Sequence, residues 1–174
     1  MAFDIITIEP TVSDGAHAAG DVFFNLTSFQ IPARACKLVN IFMQVRNGGG
    51  EDDTKLGVLF FQKNSDPTLG TLNATANQHS SGMGLNQYIG QAFLGLSDEG
   101  GGLDLDVIDS TSLYYPTSAF ASAANAGAIG AVMDPIVLKG DAGSTELFAA
   151  GVVHVGGPDF DGTDRVKIHL HIEY

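Results

Sequence analysis

The chain has 174 residues, with 20 acidic and 8 basic side chains and a formal net charge of −12. Such a surface repels phosphate backbones, and the scattered basic residues form no patch, so no nucleic-acid partner is expected. Forty-four per cent hydrophobic residues, 22 glycines, 11 phenylalanines and no tryptophan describe one ordinary globular domain, taken as residues 1–174, built of short segments punctuated by turns.

In chain order, Ile5-Ile6-Thr7-Ile8 reads as a first strand stopped by Pro10. Met1 to Pro10 carries no basic residue, and no long apolar span follows. Neither a secretion signal nor a membrane partner is therefore expected. Residues 11–20 are turn-like. Asp21 to Leu26 and Phe29 to Ile31 form a second extended segment broken at Pro32. Asn25-Leu26-Thr27 and Asn73-Ala74-Thr75 match glycosylation sequons, read as chance matches in a chain with no export signal.

The single cysteine, Cys36, permits no internal disulfide and leads into an apolar run, so it reads as a packed thiol made in a reducing compartment. Lys37 to Arg46 is a strong strand. Val39, Ile41, Met43 and Val45 take one face, and Asn40 and Gln44 the other. Phe42 breaks the pattern and implies that the second face is also partly covered. The polar turn Asn47-Gly48-Gly49-Gly50-Glu51-Asp52-Asp53 leads to the apolar strand Leu56 to Phe61, and the two strands read as a hairpin.

Residues 64–102 show no clean period; Tyr88, Ile89, Phe93 and Leu94 fit neither helix nor strand. Leu103, Leu105 and Val107 alternate with Asp104, Asp106 and Ile108 as a half-exposed strand with an acidic outer face. Leu113-Tyr114-Tyr115 is a short strand closed by Pro116. The small-residue stretch 119–133 is either a glycine-weakened helix or a closely packed loop at a subunit contact. Ile136 to Leu138, Glu146 to Val155 and Arg165 to Tyr174 are the last strands. In the last, Val166, Ile168, Leu170, Ile172 and Tyr174 oppose Lys167, His169, His171 and Glu173. Strands separated by glycine-rich turns, without a long amphipathic helix, give an all-β fold: an antiparallel β-sandwich, jelly-roll-like.

Three groups of residues invite chemistry. His169 and His171, two apart on a strand, share a face and could share a metal ion, with His154 as a third ligand; a solvated strand face explains them without one. Asp159, Asp161 and Asp164 lie in a glycine-containing turn, but no closing glutamate completes a calcium loop. Glu51, Asp52 and Asp53 form a similar acidic tip. Both tips read as projecting turns that make partner contacts. No hydrolase elbow, phosphate loop or zinc-protease signature occurs, so no enzyme, cofactor or metal is expected.

The run Ala19-Gly20-Asp21-Val22-Phe23-Phe24, then Phe29-Gln30-Ile31-Pro32 and Leu38-Val39-Asn40-Ile41-Phe42-Met43-Gln44-Val45, resembles small virion proteins of tailed bacteriophages. Leu56-Gly57-Val58-Leu59-Phe60-Phe61, Leu69-Gly70-Thr71-Leu72-Asn73 and Ser112-Leu113-Tyr114-Tyr115 continue the likeness, which spans roughly residues 19–115. Ala35-Cys36-Lys37 stands where glycines are expected. The resemblance implies a capsid decoration or cement protein, a homo-oligomer (trimer) made in the bacterial cytoplasm. It would sit on the capsid surface of the virion, bound to the major capsid protein or other virion proteins. The alternative is a carbohydrate- or host-receptor-binding sandwich on the particle.

Overall fold

A computed structural model describes residues 2–46, 48–49, 55–65, 69–76, 85–96, 111–116, 136–155, 159–160 and 166–174. The described chain is nearly all antiparallel strand. In order the strands are β1 (Phe3–Ile8), β2 (Gly15–Ala16), β3 (Val22–Gln30), β4 (Ala35–Arg46), β5 (Gly48–Gly49) and β6 (Lys55–Phe61). They continue with β7 (Tyr88–Leu96), β8 (Thr111–Pro116), β9 (Ile136–Lys139), β10 (Glu146–Val155), β11 (Asp159–Phe160) and β12 (Val166–Glu173).

Nine of these strands form one hydrogen-bonded sheet, eight along the path β1-β12-β4-β8-β7-β6-β10-β3 and β9 off it, paired to β4. The path folds over where β7 meets β8, which among the described residues are joined by the pairs Leu94–Pro116, Gly95–Tyr115 and Leu96–Tyr114. One layer is β1, β12, β4, β8 and β9; the other is β7, β6, β10 and β3. The chain alternates between them: β3 lies in the second layer, β4 in the first, β6 and β7 in the second, β8 and β9 in the first, β10 in the second, β12 in the first. Two layers of antiparallel strands packed on one another make the described chain an all-β sandwich.

It also corrects the expected hairpin. β4 pairs with β12, β8 and β9, while β6 pairs with β10 and β7. Residues 37–46 and 56–61 therefore lie in different layers. Sequence adjacency favours pairing, but burial decides otherwise. Every residue of β6 is buried, which is the pattern of a central strand covered on both faces rather than of a hairpin arm.

The main core draws from both layers. Ile41, Met43, Val45, Val166, Ile168, Leu170 and Ile172 come from the first, and Phe23, Phe24, Leu56, Val58, Phe60, Ala92, Leu94, Leu147, Ala149 and Val153 from the second. One expected inward residue is not there. A β-bulge between the pairs His171–Asn40 and Ile172–Leu38 inserts a residue, and Val39 turns outward with 39% of its surface exposed. A bulge places two residues against one and resets the alternation.

Phe23 and Phe24, adjacent in sequence, are both fully buried in that core and meet edge to face at 4.7 Å. Adjacent strand residues normally take opposite faces. Here β10 shifts register on either side of Gly151, which is paired with Phe24. A Cβ on Gly151 would lie 2.2 Å from the Phe23 ring and 2.4 Å from the Phe24 ring. Only glycine leaves the room both rings use.

A second, smaller core lies on the outer face of the second layer. Val22, Leu59, Phe61, Ala150 and Val152 are covered by Leu69, Leu72 and Ala76. The covering segment 69–76 is held by backbone bonds to β3 and the turn before it: Val22 N–H to Ala74, Asn73 N–H to Val22 and Ala76 N–H to Gly20. Asn25 clamps it as well. Its amide donates to Gly70 O (3.1 Å), and its oxygen accepts from Leu69 N–H (2.9 Å).

That turn, Ala18 to Asp21, closes by the Asp21 N–H on Ala18 O at 3.1 Å, and the Asp21 carboxylate accepts from Ala18 N–H at 2.8 Å. Gly20 has φ +94°, as a type II turn requires at its third residue. At one end a three-stranded sheet, β2-β11-β5, ties together the connections that follow β1, β4 and β10.

Candidate functional site

Two surfaces stand out, both outside the sandwich core. The first is the outer face of β1, β12 and β4. Its rows follow from register: Phe3 lies opposite Glu173, Ile5 opposite His171 and Thr7 opposite His169. On the other side His169 faces Phe42 and His171 faces Asn40. Phe3 and Ile5 are 68% and 57% exposed, large values for side chains of this kind, and Val39 joins them. On the neighbouring β9, Val137 pairs with Lys37 and is exposed too.

The two histidines occupy the middle of this face. The His169 ring stacks on Phe42 at 4.5 Å and 24°, and His171 meets the same ring edge-on at 5.5 Å. Thr7 Oγ1 and His169 Nδ1 are hydrogen-bonded at 3.1 Å. Loss of water around His169, then the nearby His171 and Lys167, hold its pKa below the usual value near 6.5, with Glu9 opposing. His171 Nε2 is buried without a hydrogen-bond partner among the described residues. Phe42, the residue that broke the alternation of its strand, is explained: it is half-buried beneath the two imidazoles.

The expected third ligand is elsewhere. His154 lies on the outer face of the second layer, edge-on to Phe93 at 4.7 Å and over Gly57. His154 and the His169–His171 pair thus stand on opposite outer faces of the sandwich and cannot share an ion. Among the described residues no three His, Cys, Asp or Glu side chains are grouped to hold one. Cys36 is buried opposite Leu138, and burial pushes its thiol up to about 11.

The second surface is the end closed by the small sheet. Asp159 pairs through its backbone with Ala16 and Gly49, and Phe160 with Gly15 and Gly48. This brings the start of the Asp159–Asp164 turn beside the strand that leads into Glu51, Asp52 and Asp53. Those three residues, with Asp161 and Asp164, lie outside the described residues, as do the expected strand at 103–107 and the stretch 119–133.

Sequence reasoning missed one polar pair. Ser13 Oγ and His17 Nε2 are 2.6 Å apart, with His17 only 2% exposed; nothing in the spacing of residues 11–20 announced a buried imidazole. The sequons have structural employment: the Asn25 amide is engaged in its clamp, and Asn73 adopts the left-handed φ of 55° that asparagine tolerates.

No family model, no curated protein and no solved structure matches the chain.

Proposed function

We propose that this protein is a non-enzymatic structural component of a virion, a capsid decoration or cement protein that binds and stabilises the lattice of a tailed phage's major capsid protein. It works as a homo-oligomer, a trimer, on the capsid surface after synthesis in the host cytoplasm. The observation that carries the reading is a division of labour between surfaces. A double-layered body presents an exposed apolar sheet face on one side, and elsewhere the short sheet β2-β11-β5, whose strands β5 and β11 adjoin in sequence the runs that hold Glu51, Asp52, Asp53 and Asp161, Asp164. Exposed apolar residues grouped on a flat face mark association surfaces, and projecting loops on a stiff scaffold carry contacts. The resemblance over residues 19–115 supplies the phage assignment.

A carbohydrate- or receptor-binding module is the second reading. It draws on Leu85 and Tyr88, 54% and 41% exposed near the start of β7, because an exposed aromatic is a platform for a sugar ring. Mixing the purified protein with empty phage shells and, separately, passing it over a polysaccharide column distinguishes the two. The structural role requires co-sedimentation with shells and free passage through the column.

A further inference from the structure

We draw no further inference here: the strongest candidate, the outer face of β1, β12 and β4 where Phe3, Ile5 and Val39 lie exposed beside His169 and His171, is an unpartnered apolar face, and nothing in the structure shows what covers it.

Discussion

Gly151 is a small residue with a large structural consequence. Its missing Cβ is the space that lets Phe23 and Phe24 both enter the main core, and neither ring can retreat without opening a cavity. Gly151→Ala should therefore destabilise by roughly 1–3 kcal/mol, the usual cost of forcing an extra carbon into a packed interior. A lowered urea midpoint with an unchanged slope is the expected result; an unchanged midpoint would mean the rings have slack. Cys36 behaves in the opposite sense, since burial protects it. With its thiol pushed up to about 11, only about one part in a thousand is thiolate at about pH 8. Alkylation in the native state should be far slower than in urea, and rapid native labelling would place the residue at the surface instead. The histidines set a pH trend. His154 and His169 both have pKa values lowered by burial. The unfolded chain therefore binds protons more readily than the folded one. Their neutral forms contribute stability that is fully present above the unfolded value and declines as pH falls below about 6.5 through the lowered folded values. Melting temperatures measured from neutral pH down through this range should fall, and less so in His154→Gln with His169→Gln.

At the scale of elements, the covering segment 69–76 is the most separable part of the described fold. It adds a small core to the outside of the second layer and is anchored by the Asn25 clamp and three backbone bonds. Asn25→Ala should cost about 1–3 kcal/mol, because the Leu69 N–H loses its acceptor in a part-buried place. The damage should be local. Amide exchange should rise for Leu69 and Ala76 while Leu170 and Ile41 stay protected; uniform loss of protection would show that the segment is part of one cooperative unit with the sandwich. β12 was fully legible in the sequence, since Val166, Ile168, Leu170 and Ile172 alternate without fault against a polar outer row. β7 was not. Its inward residues include Ala92 beside Leu94, and its glycines hide the period from a count of large side chains. The pairing partners were illegible for a different reason: β4 and β6 carry clear strand patterns, but a pattern reports which face is buried, not which neighbour buries it. Val39 was misassigned because a bulge leaves no mark on composition.

At the scale of the whole molecule, the open edge of the first layer is β1. Ile5 N–H, pointing away from β12, is taken up by the Asp4 carboxylate at 2.8 Å. Occupying an edge donor with a neighbouring acid blunts uncontrolled strand addition, so association is left to faces and loops. The candidate surfaces were only partly legible from sequence. The acidic tips could be named because charge runs in turns are visible in one dimension. The histidine face could not, because it needs Phe3, Ile5, Phe42 and His169 from three strands far apart in the chain. The net charge of −12 acts over distance and should speed the approach to a basic or mixed-charge patch on a shell, whereas apolar contact should govern release. Raising salt to physiological strength should slow binding to empty shells and leave dissociation nearly unchanged. Asp52→Lys with Asp53→Lys should do the same at fixed salt. A complex that falls apart as soon as salt is raised would instead be held mainly by charge. The structural role itself rests on one direct measurement: co-sedimentation of the purified protein with empty capsid shells at physiological salt, titrated to saturation. A fixed stoichiometry per capsid subunit, with shells that withstand a higher temperature when loaded, is the result this account predicts. Protein that stays in the supernatant at every concentration, leaving the shells no more stable, would contradict it.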